Sequence, residues 1–466
     1  MANRRTSYLQ IAALVAALAA CSHETPERGL ATDILADLVA INTAPSGGND
    51  MRPAVGLLVT RLKEAGFGDD DIVVLAHTEK LPNLIVRYRS DAPADKPLLL
   101  MAHLDVVEAL PSDWTVDPWA LTEKDGYYYG RGTTDNKAGA AILVANLIRY
   151  REEGFKPNRD LIVMLTADEE TTSDGARWLI SEHRSLLDAA FALNTDGGLV
   201  MLRDGKPGAF VMQTSEKIFV SFALEATDPG GHSSMPRPES AISRLARGLV
   251  ALEEYRFPIN LNDTTRAYFA KWAALAPENE RELLDALANE QFDADVIGEL
   301  ERMPYYNALA RTTCTATLLE GGHAENALPQ TARAVVNCRV LPQSSADAAR
   351  RTLERLVSPF GIAVTQLAEA HPSPPSPLHD EVVAPITELA AETWPGIEVI
   401  PEMSTGATDG LFIRNAGIPV YAVGAIAEDP DDIRAHGQDE RIRINAFRDA
   451  TNYWYRLVKT LSEPSG

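Results

Sequence analysis

The chain has 466 residues, 45% of them hydrophobic and 23% charged, with a formal net charge of −23. That length suits two domains, or one large domain carrying an insertion. The negative balance argues against nucleic acid as a partner, because phosphate binding needs a basic surface, and it disfavours polyanionic substrates.

The first elements in chain order form a processing signal. Arg4 and Arg5 precede the apolar stretch IAALVAALAA and Cys21. The stretch is too short for a standard transmembrane helix and suits a secretory leader over residues 1–20. Leu18-Ala19-Ala20-Cys21 resembles the lipobox of bacterial lipoproteins. The resemblance implies cleavage before Cys21 and its lipidation, so that the membrane is met only through that anchor. Ser22 after the cysteine points to the outer membrane by the usual sorting rule, with the protein facing the periplasm. An ordinary leader with an incidental cysteine is the other reading. Residues 21–28 read as a tether.

From 29 to 213 the pattern alternates helix and strand, which argues for a doubly wound α/β layer structure. ATDILADLVAI and RPAVGLLVTRLKEAG read as amphipathic helices, and NLIVRYR, PLLLMAH, DLIVMLTA and AAFALNTD as strands. KAGAAILVANLIRYREEG reads as a helix closed by Gly154. A second unit, α+β, spans 214–368. It holds KIFVSFALEAT as a strand, helices through a polar stretch at about 263–303, two strands bearing cysteines, a helix at SSADAARRTLERLVSPF and the strand GIAVTQL. The Pro-rich segment HPSPPSPLH marks the return to the first unit, which occupies 369–466. Cys314 and Cys338 lie on neighbouring strand-like runs, RTTCTATLL and TARAVVNCRV. A cross-strand bond is open to them, but a free buried pair is the expectation, because sequence does not set their Cα separation.

The residues with metal chemistry are dispersed. They are His103 and Asp105 in MAHLDVV, Asp135 in GRGTTDNKAG, Glu169 and Glu170 in LTADEET, Asp196 in LNTDGG and His436 in RAHGQDE. Two of these blocks follow apolar runs that read as buried parallel strands, and the carboxyl ends of such strands are where an open α/β sheet places its site. A mixed set of histidines and carboxylates suits zinc or a similar divalent ion.

The order and flanks of these blocks resemble the M20 family of two-metal peptidases and deacylases. The resemblance extends from about residue 30 to the C-terminus and includes GGHSSMP, NALP, CRVLP and GATDG. It implies a zinc-peptidase catalytic domain with an inserted lid, which in many members also pairs two subunits into a homodimer. It implies that His103 and Asp196 hold one ion, Glu170 and His436 the other, and that Asp135 bridges them. Zinc is the expected metal, with cobalt or manganese as alternatives. Asp105, two residues along a strand from His103, would accept from the imidazole and fix its tautomer. Glu169 would be the general base, taking a proton from water and passing it to the leaving nitrogen. His232 would stabilise the oxyanion. Asn326, Arg339 and Thr408 would grip the substrate, Arg339 through its planar fork on a carboxylate. Ala138, Cys338 and Ala407 depart from the commoner family pattern, and Ala407 puts contacts at Thr408 in doubt.

The resemblance is greatest to the carboxypeptidase-like branch. It implies hydrolysis of amide bonds in small peptides or N-acyl amino acids with a free carboxylate. Deacylation of the acetylornithine or succinyl-diaminopimelate type is the nearer alternative, disfavoured because Asp196 stands where those branches use glutamate. A non-catalytic envelope lipoprotein that binds peptide or zinc is the alternative from another class. Glu169 speaks against it, since a binding module needs no base beside a metal ligand.

Overall fold

The computed structural model describes residues 29–463. The leader, the tether, Cys21 and the last three residues of the final unit lie outside them. Among the described residues no helix is long and apolar enough to cross a membrane.

The first layer is a ten-stranded sheet. Its middle is parallel: Leu161–Thr166, Leu98–His103, Phe191–Asn194 and Val420–Ala422 lie side by side in that order. Leu98–His103 is LLLMAH and is buried throughout, as expected of a strand covered on both faces. The sheet is mixed, with a parallel middle and antiparallel margins, within the α/β layer structure expected. Pro82–Tyr88 and Ile72–Ala76 add antiparallel strands at one side. At the other, Leu199–Arg203 and Lys206–Glu216 form an antiparallel hairpin. Its two-residue turn is Asp204-Gly205, both at positive φ (52° and 74°), which is the hairpin-forming geometry that an Asp-Gly pair favours.

Helix Lys137–Glu153 covers the parallel strands and is buried along most of its length. It closes at Gly154 in the left-handed conformation, as its sequence predicts. Gly139 on its first turn lies so close to the sheet that a Cβ there would meet Thr195 Oγ1 at 2.1 Å. The neighbouring Ala138, one of the departures noted above, is fully buried and accommodated.

The second layer is a four-stranded antiparallel sheet in the order Thr313–Gly321, Thr331–Val340, Ile218–Thr227, Ile362–Gln366. Helices Ala241–Glu254 and Ala346–Val357 cover one face, over a core that includes Val220, Phe222, Leu224, Leu245, Val336 and Leu353. The helical stretch that sequence grouped with this unit has a different destination. Helices Asp263–Leu275, Glu278–Ala288, Ala294–Leu300 and Pro304–Ala310 build their own core with Ile400 and Met403 of the first sheet's strand Glu398–Ser404. Phe269, Leu284, Leu300 and Leu309 supply that apolar face.

The chain crosses between the two sheets twice, and one carboxylate joins both crossings. Glu216 is fully buried at the end of its strand. It pairs with Arg414 at 2.6 Å and accepts from Ser373 of the returning segment at 3.1 Å, from Gln213 at 3.1 Å, and from the backbone and hydroxyl of Thr408, each at 3.1 Å. Removing either ion-pair partner would strand a buried charge, a loss of about 3–5 kcal/mol.

The cysteines are not the free pair expected from sequence. Antiparallel register sets Cys314 directly opposite Cys338, with Cα atoms 4.0 Å apart, and a disulfide joins them. Pairing register, which the sequence did not supply, decides this. With its ends 24 positions apart in sequence, such a link stabilises the fold by about 3 kcal/mol through loop closure.

Candidate metal centre

Three neighbouring parallel strands deliver ligands at their carboxyl ends. His103 ends its own strand and lies opposite Thr166, so the turn after Thr166 sets Glu169 and Glu170 beside it. Asp196 follows the third strand, Phe191–Asn194. Asp135 precedes helix Lys137–Glu153, and His436 comes from a loop in which it takes positive φ (62°).

The side chains converge. His103 Nε2 lies 2.9 Å from Asp135 Oδ1, and His436 Nε2 lies 3.0 Å from Asp135 Oδ2 and 3.0 Å from Glu170 Oε2. His103, Asp135 and Glu170 offer ligand atoms within 4.8 Å of one another, and so do His103, Glu169 and Asp196. The two oxygens of Asp135 therefore face different histidines, the disposition needed by a carboxylate shared between two cations.

Two buried carboxylates hold this geometry. Asp105 accepts from the backbone N–H of Glu169 at 3.1 Å and of Glu170 at 2.9 Å, which fixes the Glu-Glu turn against the first strand. The expected bond from His103 goes instead to the carbonyl oxygen of Asp105, at 3.1 Å from Nδ1, with the carboxylate at 3.5 Å. The amides of the turn occupy that carboxylate. The backbone carbonyl still requires a proton on Nδ1, which leaves Nε2 facing the site. Glu440, from the HGQDE block, was not singled out in the sequence. It accepts from Thr134 N at 2.7 Å, Asp135 N at 3.2 Å and Gly132 N at 3.0 Å, and pairs with Arg131 at 2.7 Å. A fully buried glutamate clamps the loop that presents Asp135.

Protonation reflects the crowding of acids. Burial, then repulsion by Asp196, raises the Glu169 carboxyl well above its usual range. Burial pushes Asp196 up to about 7. Burial raises Asp409 to about 8, although its Oδ2 accepts from Thr166 at 2.6 Å. His436 is pushed up to about 10 by Asp135 and Glu170. Burial alone would lower His103, but Asp105 and Asp135 outweigh it and raise it well above normal. Burial alone would raise Asp135, but bonds from the two histidines outweigh it and hold it below the ordinary range. Protons here occupy positions suited to cations. Three carboxylates and two imidazoles arranged around a shared Asp135 fit two divalent ions.

The other expected site residues lie apart from this cluster. His232 and Asn326 meet each other on a small two-stranded ladder: His232 pairs with Ala327, and Ser233 donates to the Asn326 carbonyl at 3.0 Å. His232 is exposed, and its Nδ1 contacts Ser234 Oγ at 2.7 Å. Among the described residues no hydrogen bond joins it to the metal ligands. Arg339 lies on the second sheet with its guanidinium over the Phe219 ring, 4.7 Å from its centroid. The hydroxyl of Thr408 donates to Glu216 and accepts from Gly410 at 3.1 Å. Its donor is therefore committed to the protein.

Residues 99–460 match the description "Peptidase family M20/M25/M40". The human N-fatty-acyl-amino acid synthase/hydrolase PM20D1 is 29% identical over 390 residues, covering 82% of this chain and 77% of its own length. Carboxypeptidase S of Saccharomyces cerevisiae is 26% identical over 438 residues, covering 82% and 74%. Among solved structures, the M20 family metallo-carboxypeptidase Sso-CP2 from Sulfolobus solfataricus superposes with a TM-score of 0.70 at 20% identity, covering 93% of this chain and 99% of that one.

The raised pKa values predict how binding depends on pH. Near neutrality His103 and His436 carry protons and Asp196, raised to about 7, carries one part of the time, and these ligands must release theirs to a metal. Apparent zinc affinity should therefore rise from pH 6 to pH 8, with net proton release in calorimetry run in buffers of different ionisation enthalpy. An affinity constant across this range would contradict the assignment.

Proposed function

Because this chain belongs to peptidase family M20/M25/M40, and because its Asp135 is shared between two histidine-bearing ligand groups, we propose that it hydrolyses amide bonds in small peptides or N-acyl amino acids bearing a free carboxylate. The observation that carries this reading is Glu169, a half-buried carboxyl with a raised pKa lying beside the ligands and pinned at its backbone by Asp105. Two divalent ions, zinc in the first instance, would be held by His103, Asp135, Glu170, Asp196 and His436 and would supply Lewis-acid polarisation and a lowered water pKa.

The chain's own residues then divide the work. Glu169 accepts the proton of the attacking water and returns it to the leaving nitrogen, a role that suits a carboxyl whose pKa burial raises above the ordinary range. Asp105 keeps that carboxyl in register with His103. Arg339 receives the substrate's carboxylate. His232 donates to the oxyanion, reaching the site by closure of the second sheet or from a partner subunit.

A homodimer through that sheet is supported by its edge strand, Thr313–Gly321. There Leu318 and Leu319 are 62% and 69% exposed, with Ile242 47% exposed nearby. The residue pattern before Cys21 and the Cys314–Cys338 bond both favour an oxidising envelope compartment reached as a lipoprotein. The name of the human relative, an N-fatty-acyl-amino acid synthase/hydrolase, adds fatty acyl amino acids to the substrate panel.

Zinc-loaded protein should release free amino acid from at least one member of such a panel. Glu169→Gln should lower kcat by roughly 10²–10⁴-fold while metal content and melting temperature hold. Metal-loaded wild type that cleaves no member would oppose the hydrolase reading and favour a binding protein. In light scattering the wild type should have twice the mass of one chain, and Leu318→Asp with Leu319→Asp should give the monomer. A wild-type monomer rules out the dimer and leaves His232 to act within its own chain.

A further inference from the structure

Positive charge gathers in the second sheet near the first crossing, and the described carboxylates do not neutralise it. Lys217 stands between strands Lys206–Glu216 and Ile218–Thr227 and is 1% exposed. Its ammonium has three N–H donors but one protein acceptor, the carbonyl of Arg311 at 2.8 Å. Burial, then repulsion by Arg339, pushes its pKa down to about 7. Arg339 lies across the ladder, opposite Phe219, with its neighbour Val340 opposite Ile218. Burial lowers the Arg339 pKa as well, and no described ion pair joins it to a carboxylate. The carboxylate adjacent in sequence, Glu216, is spent on Arg414, Ser373 and Thr408. A fully buried lysine with a single acceptor, two strand positions from the residue opposite a partly buried arginine that has no described ion pair, leaves donors for an incoming anion.

We infer that Lys217 is a second cationic contact for the substrate's carboxylate, acting beside Arg339, so that the pair selects free acids over neutral amides of the same skeleton. The inference rests on the proposed hydrolysis of carboxylate-bearing amides with Arg339 as one contact. The two groups are complementary. A guanidinium fork fixes the orientation of a carboxylate, and an ammonium adds a compact charge that can approach from another side. An arriving anion offers the ammonium a second acceptor and offsets the repulsion between the cations.

Lys217→Met retains most of the side-chain volume and removes the charge. KM would be measured for the best acyl-amino-acid or dipeptide substrate of the wild type and for its C-terminal amide, with Ki in competition where the amide is not cleaved. The expected result is a rise of about tenfold or more in KM for the acid, with kcat changed less than about threefold, the amide unaffected and the melting temperature maintained. Lys217→Gln carries the same comparison if the methionine variant fails to fold. An acid-to-amide ratio equal to that of the wild type overturns the inference, whether both substrates bind as before or both weaken alike. A lysine serving only to hold the Arg311 carbonyl would give that second pattern, with a lower melting temperature. Wild type that cleaves nothing in the panel would instead overturn the functional reading on which the inference rests.

Discussion

The site depends on Asp135 facing two histidines at once. Each of its oxygens lies about a hydrogen bond's length from a different imidazole. Around it are gathered Glu169, Glu170 and Asp196, carboxyl groups that would repel one another in any solvent-poor space without compensating positive charge. The scaffold holds them against that repulsion. Glu440 fastens the loop of Asp135 through three backbone N–H groups, Asp105 fastens the turn of Glu169 and Glu170 through two more, and both anchors are themselves fully or almost fully buried. The protons on the histidines and on Asp196 mark where positive charge is wanted, and the donor set suits two divalent ions.

The second sheet is tied to this centre by chemistry rather than by apolar packing alone. Glu216 joins the outgoing and returning crossings and holds Thr408, one residue before Asp409, whose carboxyl bonds Thr166 at the end of a ligand-bearing strand. A shift of one sheet against the other would therefore be felt within a few bonds of the metal ligands. The helices between 263 and 310 add a further tie: they are inserted into the second unit's sequence yet pack on strand Glu398–Ser404 of the first. Such ties limit the directions in which the second sheet can shift against the first.

Part of this was legible in the sequence because two ligand blocks, at His103 and at Glu169-Glu170, belong to short apolar runs. LLLMA and LIVML can only be buried strands, and whatever follows them is placed at a sheet's carboxyl edge. Polar residues with invisible partners were less legible. Thr408 read as a substrate contact, but its hydroxyl is taken by a glutamate 192 positions earlier. Asp105 read as the acceptor for His103, but its oxygens are taken by two backbone amides of another strand's turn. Glu440 lay within a recognised block, yet its role depends on a loop some 300 residues upstream. The disulfide and the antiparallel margins of the first sheet depend on strand register and hairpin pairing, which composition does not encode.

The central claim is that this cluster holds two metal ions bridged by Asp135. The most direct measurement is the crystal structure of zinc-soaked protein, with anomalous diffraction recorded at the zinc edge. The account predicts two anomalous peaks roughly 3.5–4 Å apart, with an Asp135 oxygen on each. A single peak, or two peaks that leave Asp135 bound to only one ion or to none, would contradict it.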